Sequence, residues 1–288
     1  MISNLFLVIK GFVMGIANVI PGVSGGTIAI ILGIYEKFID SISHFFSNFK
    51  DNLKFLIPIG IGMLLSILTM SNLVTYSYEK LPIPTTLFFV GLVIGGIPLI
   101  YSKIKDHTLE KKKISNYIIL LLTFSLVIFM ALADKIFQIG GEVVLTNLNF
   151  IGYILLFIIG VVAAATMVIP GISGSLVLML FGYYYPIINL IKELTHFKNL
   201  FSNMLIACIF GIGVLLGIVL VSKLVEFLLK KFEIKTYYGV LGFILASIIA
   251  IPISSLSNIN LTTDVFQIIL SILFPILGFV ISYKLGEH

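Results

Sequence analysis

Long uncharged apolar runs alternate along the chain with short stretches that gather its charges. The runs are Phe55–Tyr78, Leu81–Ser102, Ile114–Ala133, Val143–Ile191, Asn199–Ser222, Thr236–Thr263 and Val265–Tyr283. About 20 apolar residues cross the hydrocarbon core of a bilayer as a helix, so most runs suffice for one crossing. Val143–Ile191, with 49 residues, suffices for more than one. The pattern predicts an all-α polytopic membrane protein with spans near Phe55–Tyr76, Thr85–Ser102, Asn116–Leu132, Met204–Leu229, Tyr237–Ser254 and Val265–Lys284. Pro58, Pro98, Pro252 and Pro275 fall inside or near the ends of these spans, where membrane helices tolerate kinks.

Composition agrees. Hydrophobic residues make up 59% of the 288, charged residues 11%, and the mean hydropathy is +1.17. A soluble domain carries about a quarter charged residues, and this chain lacks the charge to cover a wet surface. The first apolar stretch contains Lys10, has no basic leader before it and no small-residue cleavage pattern after it, so no cleaved signal peptide is expected. Cys208 is the single cysteine, which excludes an intramolecular disulfide, and its apolar flanks read as those of a small buried residue.

A repeated unit organises the chain. Gly11–Tyr35 set against Gly160–Tyr184, a step of 149, is identical at ten of 25 positions. Gly60–Leu65 matches Gly211–Leu216 at five of six with a step of 151, and Gly91 pairs with Gly242. Three anchors in one order at nearly one offset argue for duplication within a single membrane domain, with repeats at about 1–138 and about 147–288. In each half a helix runs into Pro-Gly-x-Ser-Gly, a second helix leaves it, and three spans follow. The re-entrant-type hairpin around each motif returns to its own side, whether it dips halfway or crosses twice, and three spans then reverse sides, so the two repeats are expected to be inverted, as in many secondary transporters.

Lysine placement tests that count. With the five lysines of Lys103–Lys113 taken as cytoplasmic, alternation puts 14 lysines inside and four outside, namely Lys80, Lys135, Lys192 and Lys198. Both termini are then expected in the cytoplasm and the protein in the plasma membrane. The Lys103–Lys113 cluster is a topology signal that also meets anionic headgroups of membrane lipids.

The candidate chemistry lies in the two breaks, Pro21-Gly22-Val23-Ser24-Gly25-Gly26-Thr27 and Pro170-Gly171-Ile172-Ser173-Gly174-Ser175. Bilayer hydrocarbon offers freed N–H and C=O groups no partner, so broken backbone survives only within protein or along a wet cavity. Helices are expected from about Ile28 and about Leu176, with uncapped amides and the positive dipole end facing the break. Such a start suits a phosphate or carboxylate, and Ser24, Thr27, Ser173 and Ser175 add hydroxyl donors. A tight-packing turn is the competing reading of one such cluster; two equivalent copies favour a site. All 18 basic residues are Lys, so no bidentate guanidinium is available to hold an anion.

Glu36 reads two ways, as a proton-coupling carboxylate or as an interfacial residue beside Lys37. Lys10 either approaches a bound anion or, the favoured reading, snorkels to the cytoplasmic headgroups. Asp134–Lys135 reads as an interfacial pair and Lys223–Glu226 as a local salt bridge. His44, His107, His196 and His288 lie in loops or at the end, none at metal-ligand spacing, so neither metal nor other cofactor is expected. No Walker loop and no Gly-x-Ser-x-Gly elbow occur, and nothing points to nucleic acid.

The pairing of Ile20–Thr27 with Ile169–Ser175, together with the tail Gly33-Ile34-Tyr35-Glu36-Lys37, resembles the polyprenyl-phosphate transporters of the PopT type, long catalogued as a domain of unknown function. The resemblance spans essentially the whole chain. It implies a flippase that returns a polyprenyl phosphate, such as undecaprenyl phosphate, from the outer to the cytoplasmic leaflet for reuse as carrier lipid. It also implies substrate contact at the two motifs, with Ser175-Leu176 departing from Gly26-Thr27. A carrier of a small soluble anion and a polyprenyl-pyrophosphate phosphatase are the alternatives. The second is disfavoured by the lack of Arg and the peripheral His residues. The sequence leaves a homo-oligomer open.

Overall fold

The fold is taken from a computed structural model, which describes residues 4–19, 24–105, 113–137, 143–145, 148–172, 174–195, 197, 199–256 and 264–286. Pro21, Gly22 and Ser173 of the motifs lie outside the described residues, as do His107, His196 and His288 and the side chains of Asp134, Lys135 and Ser175. The described residues form α1 (Asn4–Val19), α2 (Gly25–Ile31), α3 (Tyr35–Ser43), α4 (Phe49–Lys80), α5 (Pro82–Lys105), α6 (Ile114–Phe137), α7 (Phe150–Val168), α8 (Gly174–Leu180), α9 (Tyr184–Thr195), α10 (Leu200–Lys231), α11 (Glu233–Leu256) and α12 (Val265–Gly286). Seven of them, α4–α7 and α10–α12, are long and apolar enough to cross a bilayer. The protein is a multi-pass helical membrane protein. All four span prolines are accommodated inside helices.

Local chemistry recurs along the chain. The α2–α3 joint turns at Gly33, φ +66°, and the α8–α9 joint at Gly182, φ +73°. At the first, the Gly33 and Ile34 amides donate to the Ile30 and Ala29 carbonyls; at the second, those of Gly182 and Tyr183 donate to Met179 and Leu178. This left-handed C-terminal cap stops each helix after seven residues. The bounds of α4 and α10 differ by 151 at both ends, as do those of α5 and α11.

Packing follows the same scheme. Helix α1 lies on α4 and α7 on α10, while α5 packs on α12, α6 on α11, and α5 on α11 at the centre. Backbones touch at the first crossings: a Cβ at Gly62 would stand 2.1 Å from the Val8 carbonyl oxygen, and one at Gly213 2.3 Å from that of Phe157. Small residues permit this approach, and dispersion across it holds membrane helices together. The largest core runs from Met14 through Ile28 and Leu32 to Ile100, Ile244 and Ile251, all under 2% exposed. Leu121, Leu215, Leu220 and Ile272 point outward, a cost in water that lipid removes. Cys208, expected to be buried, is exposed on this outer face of α10, where apolar neighbours signify lipid contact as well as core.

Candidate functional site: the meeting of the two motifs

The breaks expected to hold substrate come into direct contact. Ser24 adopts an extended conformation and caps α2, its hydroxyl oxygen accepting from the Thr27 amide at 3.4 Å. The same hydroxyl donates to the Ile169 carbonyl at 3.3 Å, 145 residues away. Thr27 Oγ1 accepts from the Gly171 amide at 2.7 Å. Both side chains are almost wholly enclosed, at 3% and 1% exposure. The helices begin three and two residues earlier than expected, at Gly25 and Gly174. Gly25, Gly26 and Thr27 therefore form the first turn of α2, where the Ser24 cap offsets the cost of starting a helix on glycine, and Gly174 and Ser175 open α8. The Thr27 amide, expected to be uncapped, has a partner in Ser24 for the same reason.

The second motif is fixed from three sides. Ile169 leaves α7 in extended conformation, and Gly171 turns at φ +81° with room for no side chain, since a Cβ would stand 2.7 Å from the Phe243 carbonyl oxygen. Tyr35 donates to the Val168 carbonyl at 3.1 Å, and Ser247 donates to the Gly171 carbonyl at 3.2 Å and the Phe243 carbonyl at 2.9 Å. Helices α2, α3 and α11 thus meet at one turn of buried backbone.

Lys10 does not snorkel. At 3% exposure it donates to the Leu32 carbonyl at 2.6 Å and lies 4.9 Å from the Phe6 ring centroid. The carbonyls that end α2 carry partial negative charge, which draws the ammonium inward. Glu36 sits apart from the motifs, on α3, which is not among the apolar spans. Its half-exposed carboxylate accepts from Lys103 at 2.8 Å and from the Tyr237 hydroxyl, tying α3 to α5 and α11. Partial burial pushes its pKa up, but hydrogen bonds from Lys103 and Tyr237, with the Lys103 charge, outweigh that and leave it below the usual 4.5. A depressed folded-state pKa contributes stability above the unfolded pKa and loses it as pH falls through the folded value. Glu36→Gln is therefore expected to melt slightly lower than the parent at pH 7, by little because the pair is half-exposed. The gap should close below about pH 4, and thermal melts at both pH values check it; a gap surviving at pH 3 contradicts this placement.

Two features escaped the sequence, a side-chain cluster and a groove. Glu226 pairs with Lys230, not with Lys223, and His44 lies 3.1 Å from Asp40 and 3.6 Å from Glu226. Asp40, His44 and Glu226 converge within 4.8 Å because α3 packs on α10, a contact that sequence spacing cannot reveal. The Lys230 ammonium already occupies one Glu226 oxygen. The second unforeseen feature is an apolar groove of about 430 Å³ between α6, α10 and α11. Its floor is Ile169 and Pro170 of the second motif, its walls include Leu224, Leu228 and Val240, and Lys235 stands in its lining.

Comparisons with known proteins identify a family. Residues 14–264 match the family described as VCA0040-like, undecaprenyl phosphate translocase-like. A "polyprenyl-phosphate transporter" of Staphylococcus aureus is 36% identical over 282 residues, covering 97% of this chain and 95% of its own. A protein of the same description from Vibrio cholerae is 30% identical over 254 residues, covering 83% of this chain and 75% of its own. No solved structure matches the chain. With its full-length likeness to one transporter and a family match across both motifs, the chain belongs to the undecaprenyl phosphate translocase-like family.

Proposed function

We propose that the protein is a flippase for polyprenyl phosphate, such as undecaprenyl phosphate, carrying it from the outer to the cytoplasmic leaflet without covalent chemistry. The phosphate binds where the motifs meet, at Pro21, Gly22, Ser24, Gly25, Gly26 and Thr27 on one side and Pro170, Gly171, Ser173, Gly174 and Ser175 on the other. The observation that carries the reading is the contact itself: Ser24 and Thr27 reach the backbone of Ile169 and Gly171 inside the protein. Hydroxyls and amides that satisfy one another across a joint can exchange those bonds for bonds to phosphate oxygens. Each neutral hydrogen bond is worth only about 1 kcal/mol net, so the exchange is nearly balanced, as a carrier requires. The names of the two relatives supply the substrate class.

The halves are read as an inverted duplication, with α1–α3 and α7–α9 as re-entrant hairpins. The recurring cap at Gly33 and Gly182, the paired crossings at Gly62 and Gly213 and the matched helix bounds support this. The lysine division supports cytoplasmic termini. Leaflet-resolved transfer of a labelled polyprenyl phosphate in proteoliposomes tests the function. Transfer with no phosphate release from the pyrophosphate form is expected. Hydrolysis, or transport of free phosphate alone, overturns it.

A further inference from the structure

We propose that the prenyl chain of the carried lipid rides through one side of the protein only, in the groove of α6, α10 and α11. Its counterpart in the first half is filled by aromatic rings. This rests on the flippase reading and adds where the chain lies. The step of 151 that relates α4 to α10, α5 to α11 and the start of α6 to that of α12 assigns the wall residues of these helices their partners. Gly239 lines the groove, and its partner is Phe88; Thr123 lines it, and its partner is Phe274. Phe88 packs edge-on against Phe274, centroids 6.3 Å apart, and against Phe89 at 5.1 Å. At the same crossing in the second half a bare glycine faces a threonine. A Cβ on Gly239 would meet only Ile119 and Thr123 methyls, at 3.3 and 3.6 Å. Two rings meet at this crossing in one half, whereas in the other Gly239 and Thr123 stand in the lining of the groove.

The mouth is asymmetric too. Lys235, in the lining of the second groove and 5.5 Å from the Phe232 ring centroid, has the uncharged Pro84 as its partner. The floor is the backbone of the second motif, Ile169 and Pro170. An apolar trough with a cation on its wall and the phosphate site at its floor fits an anionic lipid with a long hydrocarbon chain. It also ties the unequal motifs to unequal tasks: the second meets the chain as well as the phosphate.

The test uses the full-length protein in proteoliposomes with a polyprenyl phosphate carrying a diazirine on its chain. Irradiation is expected to label residues 221–243, with unlabelled polyprenyl phosphate competing. Gly239→Phe, which copies the first half, should lower labelling and transfer at least about tenfold through overpacking of the groove. Leu224→Trp plugs the same trough from α10 and serves if the first variant misfolds. Phe88→Gly should leave labelling where it was. Labelling on α4 and α5, or parental transfer by both plugged variants, overturns the proposal while leaving the flippase intact. So does equal labelling by a diazirine phosphatidylglycerol, which marks ordinary membrane lipid. Absence of transfer by the parental protein removes the flippase reading itself.

Discussion

Gly26→Leu is expected to slow transfer roughly ten- to a hundredfold, whereas leucine at Gly60 or Gly211 leaves it close to the parental rate. A Cβ at Gly26 would lie 2.9 Å from the Val168 carbonyl oxygen and 3.3 Å from that of Met167. Both are backbone atoms at the end of α7, unable to swing aside as a side chain would, and the Val168 carbonyl is also held by the Tyr35 hydroxyl. A leucine there wedges the two motifs apart at the point where they join. Overpacking typically costs about 1–3 kcal/mol, enough for a rate loss of roughly ten- to a hundredfold if the joint must form in each cycle. Gly60 and Gly211 have nothing within 4 Å of a built Cβ, so they control for the substitution itself. Equal transfer by Gly26→Leu and Gly60→Leu would remove the motif contact from the cycle.

Thr27→Val is the second large effect. Valine keeps the shape but leaves the Gly171 amide without its acceptor inside a residue pair that water does not reach. An orphaned buried donor costs about 1–3 kcal/mol. That corresponds to a melting point lower by roughly 2–12 °C for a chain of this size. Transfer should fall as well, because the same hydroxyl is a proposed phosphate contact. Thr27→Ser retains the oxygen and is expected to restore most of both losses. A valine variant with parental melting and transfer would show that the 2.7 Å bond is energetically idle.

Much of the fold was legible because its causes are local or periodic. Hydropathy places six spans, and helices α4–α6 and α10–α12 contain all six, extending into the charged flanks; α7 is a seventh helix long and apolar enough to cross. Gly33 and Gly182 occupy equivalent places in the repeat, and the structure shows that each ends a short helix in a left-handed turn. The motifs themselves stand out as glycine-rich breaks in apolar sequence. What sequence could not reveal is the destination of their polar groups. Ser24 and Thr27 look like free donors until the second motif, more than 140 residues away, is brought against them. Lys10 looks like a snorkelling residue because its partner, the Leu32 carbonyl, is a backbone atom without a sequence signature. Glu226 has lysines at both i−3 and i+4, and only the helix geometry selects Lys230. The groove is invisible for another reason. It is made by missing rings at Gly239 and Thr123, which register only when the halves are set side by side.

The central claim, that the lipid phosphate sits on the amides of the two motifs, has a direct test. Ser-Gly occurs in this chain only at Ser24-Gly25 and Ser173-Gly174. Protein made with carbonyl-¹³C serine and ¹⁵N glycine therefore selects those two amide nitrogens among all others. With polyprenyl phosphate bound, solid-state dephasing by ³¹P should place phosphorus roughly 4–5 Å from at least one of them, one hydrogen bond plus a P–O bond away. Bound lipid whose phosphorus dephases neither amide would contradict the account.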